Sequence, residues 1–267
     1  MSKVRRHALV AATALLALLG SGSPAVPVPL SSPDPEPASA PAASAGPAAT
    51  AVLAPIAAHH HGGGLLHGTS SNWSGYTATG GTFTSVSAGW VQPSVSCTSS
   101  DAWSAFWVGL DGDGSKTVEQ IGTEADCSSG SPVYSAWYEM YPAYPSNFSN
   151  PVQPGDHFTA SVTTDGAGSF KLTLSDTTQG WSRTVDKSLK NATLASAEVI
   201  AEAPSSIFGV LPLADFGTVD FTGADVNGQS LGASKASITD MAEDGVTRAT
   251  TSELSGGTDF SVTWHHS

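Results

Sequence analysis

The stretch Ala105–Gly122, AFWVGLDGDGSKTVEQIG, reads as two short strands joined by a turn of glycine and aspartate. The first strand, Ala105–Leu110, carries Trp107; the turn carries Asp111 and Asp113; the second, Thr117–Gly122, carries Gln120. Gly and Asp accept turn conformations that bulkier residues resist, and the flanking Val, Ile, Phe and Trp suit a pleated chain. Outward from this hairpin the same short alternating runs recur. They fall at Phe83–Val91, Val133–Tyr141, His157–Thr163, Phe170–Ser175, Trp181–Asp186 and Ala197–Glu202, then at Phe216–Phe221, Ser237–Met241 and Phe260–Trp264. Clusters of Gly, Pro, Asp and Ser separate them, and no run of helical period competes. So many short strands predict an all-β antiparallel sandwich or barrel. No internal repeat of propeller length is present.

The chain has 267 residues, of which only 12 % are charged, with a net charge of −13. Of its 10 Lys and Arg, three (Lys3, Arg5 and Arg6) sit at the extreme N-terminus, so the body is more acidic still. That balance excludes nucleic acid and anionic membranes as natural partners. Ser, Thr and Gly stand where Lys and Glu usually cover a surface. Hydroxyl hydrogen bonds do not titrate, whereas ion pairs fail once carboxylates protonate. Such a surface suits acidic surroundings, and it suits an ordinary secreted protein equally.

Residues 1–23 read as a secretory signal: Lys3, Arg5 and Arg6, then the apolar run Ala8–Leu19, then small residues. The expected location is therefore secreted and extracellular, with no membrane contact after cleavage. Residues 24–69 are rich in Pro, Ala and Ser and read as a propeptide or tether. They end in a Gly-rich segment holding His59, His60, His61 and His67. Consecutive histidines on such a tether lack the scaffold that a selective metal site needs. A processing region that titrates between neutral and acidic pH is the better reading. Residues 70–267 form the expected folded domain.

Cys97 and Cys127 are the only cysteines. In an exported chain an isolated pair forms a disulfide. No histidine nearby supports the rival reading of a thiol nucleophile. Other chemistries fail on their spacing. There is no Gly-x-Ser-x-Gly elbow, no HExxH or other metal-ligand pattern, and the DGDG turn lacks the later ligands of a calcium loop. No cofactor and no metal are expected.

What remains are amides, carboxylates and aromatics on strands. The run AEVIAE, Ala197–Glu202, places Glu198, Ile200 and Glu202 on one face and Val199 and Ala201 on the other. Taken alone, that strand reads as solvent-facing. Val133–Pro142, VYSAWYEMYP, offers Trp137, Glu139 and Tyr141 on one face. Those residues fit a substrate groove, a sugar-binding platform or a wet core edge.

Six runs in order carry a resemblance. They are WVGLDGDG at Trp107–Gly114, VEQIG at Val118–Gly122, YSAWYEMYP at Tyr134–Pro142, PGDHFTASV at Pro154–Val162, AEVIAE at Ala197–Glu202 and LADFGTVDFT at Leu213–Thr222. Together with NWSGY at Asn72–Tyr76, the chain resembles the eqolisin family of glutamic peptidases. The resemblance implies a β-sandwich of two curved antiparallel sheets, a concanavalin A-like jelly roll, whose concave face binds an extended peptide. It implies an acid endopeptidase made as a zymogen, with Gln120 and Glu202 as the catalytic pair; no sequence signal for oligomerisation is present, so a monomer is expected. Trp107 matches a tryptophan lining the site, and Asp111 and Glu139 match acids that hold or adjoin the substrate groove. The chain departs from the family around Glu119-Gln120-Ile121-Gly122 and at Val199. It departs too in a propeptide region free of Lys and Arg. Rival readings are a carbohydrate-binding or glycan-hydrolysing sandwich and a catalytically silent binding module. In a glycosidase two carboxyls would pair across the bond, whereas the peptidase reading pairs Glu202 with an amide.

Overall fold

The computed structural model describes residues 68–98 and 100–267. The expected signal, the tether and its histidines lie outside the described residues, except for the last two tether positions. The chain forms β1 (Gly68–Ser70), β2 (Trp73–Thr79), β3 (Ser85–Val91), β4 (Ala105–Leu110), β5 (Val118–Ser128) and β6 (Ser131–Tyr141). These are followed by β7 (Ser146–Asn147), β8 (His157–Thr164), β9 (Ser169–Asp176), β10 (Trp181–Ser188), β11 (Ser196–Glu202) and β12 (Ser205–Ser206). Last come β13 (Gly209–Val210), β14 (Thr218–Val226), β15 (Gln229–Ser230), β16 (Ser237–Glu243), β17 (Val246–Thr251) and β18 (Phe260–Trp264). No helix occurs among the described residues.

The strands make a sandwich. One layer runs β10-β9-β8-β3-β14-β18, and the other contains β2-β11-β4-β5-β6-β7. β17 and β16 carry one hydrogen-bonded ladder from the first layer to the second, so the layers share an edge. Across the gap β4 and β5 face β8, and β11 faces β3. Adjacent strands in the ladder pair antiparallel; β1 adds to β16 in parallel.

The two layers differ in what they bury. In β8 and β9 burial alternates, with Phe158, Ala160, Val162, Phe170, Leu172 and Leu174 turned into the core and polar residues outward. That is the pattern of a sheet with one wet face. In β4 and β11 every residue is buried, and in β5 the first six are. A strand buried on both sides has a second structure to support. Here it is a separate apolar cluster of Trp73, Ala105, Trp107, Trp137 and Ile200, on the face away from the main core.

Sequence alternation locates β4 and β18 to the residue. It stops the second hairpin arm at Gly122, whereas β5 continues to Ser128 and pairs with β6 down to the Ser129-Gly130 turn. It does not find β2 or β17. β2 holds Gly75 in mid-strand, where glycine ordinarily weakens a strand reading. A Cβ at that position would lie 2.2 Å from the Val199 carbonyl oxygen, so only glycine lets β2 lie against β11.

Cys97 and Cys127 are bonded, with Cα atoms 5.4 Å apart and a sequence separation of 30. The bond ties the loop before β4 to the far end of β5. A loop of that length stabilises a domain by about 3–4 kcal/mol in the chain-entropy model. The double variant Cys97→Ser/Cys127→Ser is expected to melt lower by about 10 °C, given the usual 2–4 °C per kcal/mol at this size. Calorimetry at acidic pH checks this, and an unchanged midpoint would mean that the crosslink contributes nothing.

Candidate active site

Strand register builds the face that carries the second cluster. Across β11, β4, β5 and β6 three rows of side chains lie side by side. One row is Glu198, Gly109, Gln120 and Glu139; the next is Ile200, Trp107, Gly122 and Trp137; the third is Glu202, Ala105, Glu124 and Ser135. Trp73 on β2 stands opposite Glu202 and extends the third row. Gln120 and Glu202 therefore share a face, two strands and two rows apart, and Trp107 occupies the diagonal between them. They make no direct hydrogen bond to each other.

The Trp107 ring lies flat because the sheet beneath it is glycine. A Cβ at Gly122 would meet the Trp107 Cβ at 2.6 Å, and one at Gly109 would meet the edge of its ring at 2.9 Å. So placed, the Trp107 indole N–H donates to Glu202 Oε2 at 2.8 Å. Asn72 Nδ2 donates to Glu202 Oε1 at 3.1 Å. Trp73 stands edge-on to Trp107, with ring centroids 5.2 Å apart and planes at 76°. Trp107 has no exposed surface. In this state it holds Glu202 from the side rather than presenting an open wall.

Burial pushes the Glu202 carboxyl up to about 8. The N–H groups of Trp107, Trp73 and Asn72 pull it down, and the charge of Glu124 adds to the rise. Gln120 donates through Nε2 to Glu139 Oε2. Its Oε1 is buried with no partner among the described residues, and a buried amide oxygen left unpaired is rare in a settled core. Glu139 is also raised to about 8, chiefly by burial, against the Gln120 amide and with the charges of Glu202 and Glu124 adding. Glu124, partly buried, is raised by burial against a 2.7 Å hydrogen bond from Ser135 Oγ. The face thus gathers carboxyls whose acid form burial favours, around one unpaired amide oxygen.

Asp111 turns inward. It adopts φ 68°, a conformation Asp tolerates better than most residues. Both its oxygens are taken by the segment before β11: the Thr193 N–H at 2.8 Å, the Thr193 hydroxyl at 2.9 Å and the Ala195 N–H at 2.6 Å. Asp111 braces that loop. The acidic turn is not a solvent-facing hairpin end, since Asp111, Gly112 and Asp113 are all buried. Glu198 and Glu202 likewise leave solvent entirely, where the alternation of AEVIAE alone suggested a wet face.

Sequence reasoning did not single out Asn72, Trp73 or Glu124 for a role, though it did set Trp137 beside Glu139 on one face. Asn72 and Trp73 stand in the NWSGY run, 130 residues from the carboxyl that Asn72 contacts. Only pairing of β2 with β11 brings them there, and no local spacing signals that pairing. Among the described residues no group of three or more His, Cys, Asp or Glu side chains could hold a metal ion.

Comparison with known proteins points the same way. The Peptidase A4 family model matches residues 71–264. Aspergillopepsin-2 of Aspergillus niger is 32 % identical over 205 residues, covering 66 % of this chain and 72 % of that protein. The crystal structure of scytalido-glutamic peptidase with a peptide-based transition-state analogue superposes with a TM-score of 0.64. It is 31 % identical, covering 73 % of this chain and 98 % of that one. A structure of SCP-B, a member of the eqolisin family, in complex with the tripeptide Ala-Ile-His gives a TM-score of 0.61 at 30 % identity, with the same coverage.

Proposed function

The chain belongs to the Peptidase A4 family, the eqolisin glutamic peptidases, and from that premise we propose that it is an exported endopeptidase acting at acidic pH on extended peptides, with Glu202 and Gln120 as its catalytic pair. One observation carries the assignment. Glu202 is a buried carboxyl gripped by two N–H donors, on the same face as an amide whose oxygen has no partner. Family membership displaces the carbohydrate-directed and silent-module readings.

The chemistry follows from what each atom can do. Hydrolysis of an amide needs a base for water, a donor for the oxyanion and an acid for the leaving nitrogen. Burial favours the acid form of Glu202, and the Trp107 and Asn72 N–H groups favour the carboxylate. A carboxyl drawn both ways can receive and return one proton within a turnover. In the minor carboxylate form that the Trp107 and Asn72 N–H groups stabilise, Glu202 takes the proton of the water whose oxygen bonds to the scissile carbonyl carbon. The C–N bond then breaks as that proton passes to the amine. Gln120 Oε1 accepts from the water and keeps it in line. Its second N–H, the one not given to Glu139, donates to the developing oxyanion.

The organisation expected from the sequence fits the same reading: residues 1–23 as signal, 24–69 as propeptide or tether, and 70–267 as the peptidase domain. Trp107 and Glu139 then act by fixing Glu202 and Gln120, and Asp111 by fixing the loop ahead of β11.

Gln120→Ala removes the oxyanion donor and the water acceptor while leaving Glu202 in place. Turnover of denatured protein at acidic pH is expected to fall by about 10²–10³, the usual cost of one such donor. A variant within a fewfold of the parent would remove Gln120 from the mechanism.

A further inference from the structure

The mechanism leaves unused the most completely enclosed acid on the face. Glu198 has no exposed surface, and neither carboxyl oxygen has a hydrogen bond of normal geometry. It lies on β11 one row beyond Ile200, and the Asp111–Asp113 turn folds directly onto it. A Cβ at Gly112 would lie 3.1 Å from the Glu198 carboxyl carbon and 2.6 Å from the outer edge of the Trp73 ring. The turn therefore touches Glu198 and Trp73 at once, and glycine is what allows it. From its other end the turn is fixed by Asp111 on Thr193 and Ala195, and by the Asp113 N–H donating to Ser196 Oγ at 2.9 Å. Trp73 in turn stands against Trp107, and the Trp107 N–H holds Glu202.

We propose that Glu198 is a positioning residue for the peptidase reaction: its carboxyl seats the Asp111–Asp113 turn, and the seated turn holds Trp73 against Trp107 and so the Trp107 N–H on Glu202. The proposal rests on the reading of Glu202 as the proton-transfer group. It assigns a use to a buried acid that otherwise only costs stability.

The seat works in one charge state. The charges acting on Glu198 come from Asp113 and Asp111, both negative, and burial with these charges holds its carboxyl well above the usual range. The Ser196 hydroxyl and the Gly112 N–H oppose the rise. Across β4 the row presents Gly109 and the uncharged Gln120, and β2 presents Thr77. Glu119 on β5 faces Asp111 and is itself raised to about 8, first by burial and then by that charge. Lys116, the cation nearest in sequence, is exposed. A neutral Glu198 lets the acidic turn rest on it. An ionised Glu198 faces the like charges of Asp113 and Asp111, and the turn is pushed off Trp73. Loss of activity on the alkaline side then reports Glu198.

The test is a pair of variants read as pH profiles. Glu198→Gln keeps the shape and removes the titration. It is expected to lower kcat at acidic pH by about three- to tenfold, the size of a coupling transmitted through packing. Its alkaline limb is expected to move up by about one pH unit, with KM little changed. Gly112→Ala forces the turn away from Trp73 at every pH, so kcat should fall by about 10², as a misplaced group costs, with the position of the limb preserved. An alkaline limb in Glu198→Gln that coincides with that of the parent, or normal kcat in Gly112→Ala, overturns the proposal. A third readout separates it from the assignment of Glu202. Tryptophan fluorescence of the Glu202→Gln variant should still show a pH transition from Trp73 and Trp107, absent in Glu198→Gln/Glu202→Gln. Full activity in Glu202→Gln would overturn the catalytic reading alone, whereas a transition persisting in the double variant would overturn the seating of the turn.

Discussion

Glu202→Gln is expected to lose at least about 10³ in turnover on denatured protein at acidic pH, since a positioned acid–base group contributes about 10²–10⁴ and here one residue serves both proton transfers. The substitution keeps the side chain's length and planarity, and an amide oxygen can still accept from the Trp107 N–H. The fold should survive: thermal melting at about pH 4 should move by no more than the roughly 1 kcal/mol of one exchanged hydrogen bond. Cleavage at the parent rate would dismiss Glu202 and shift attention to Glu139, the raised carboxyl that Gln120 bonds. A melt that collapses in parallel with activity would instead show Glu202 to be structural.

The second large effect is on the fold itself. Glu119, Glu139 and Glu202 are each raised from an ordinary 4.5 to about 8, with burial as the main cause in every case. Between those values the folded chain binds protons that the unfolded chain has released. Stability must therefore be full below about pH 4.5 and fall as pH rises toward 8. At about 1.4 kcal/mol per pH unit, each group can contribute up to about 5 kcal/mol of loss. One or two of them rival the whole 5–15 kcal/mol of a typical domain. Urea midpoints taken from about pH 4 to 8 should decline through that window, and in Glu202→Gln they should decline less. A flat or rising profile would show that these carboxyls ionise within the fold at little cost.

The sequence carries the faces of the sheet better than their depth. Alternation in AEVIAE and VYSAWYEMYP sets Glu202 and Glu139 apart from Val199 and Met140, and the register confirms both separations. Whether such a face meets water or a second layer of tryptophans depends on which strands pair. β2 reaches β11 across more than a hundred residues. The same distance hides Asn72 and Trp73 as partners of Glu202 and Trp107. The Asp-Gly turn misleads for a related reason. Its residues are those of an exposed hairpin end, but Asp111 finds its three donors in a loop some eighty residues later. Local chemistry is legible in such a chain, and long-range contacts are not.

The position of β11 also bears on how the chain is made. This strand lies between β2 and β4, each of which precedes it by about a hundred residues. Until it inserts, β2 and β4 have no neighbour in common, and the face that carries Trp107 and Gln120 lacks the strand that holds Glu198, Ile200 and Glu202. Pairings of such long sequence separation form late and slowly. A chain emerging from synthesis thus carries Gln120, Glu139 and the tryptophans well before it can cut anything. Its destructive capacity arrives with one strand and in one step, after most of the sandwich has been translated. For a protein whose product is broken peptide bonds, the order of assembly is itself a safeguard, independent of any leader sequence.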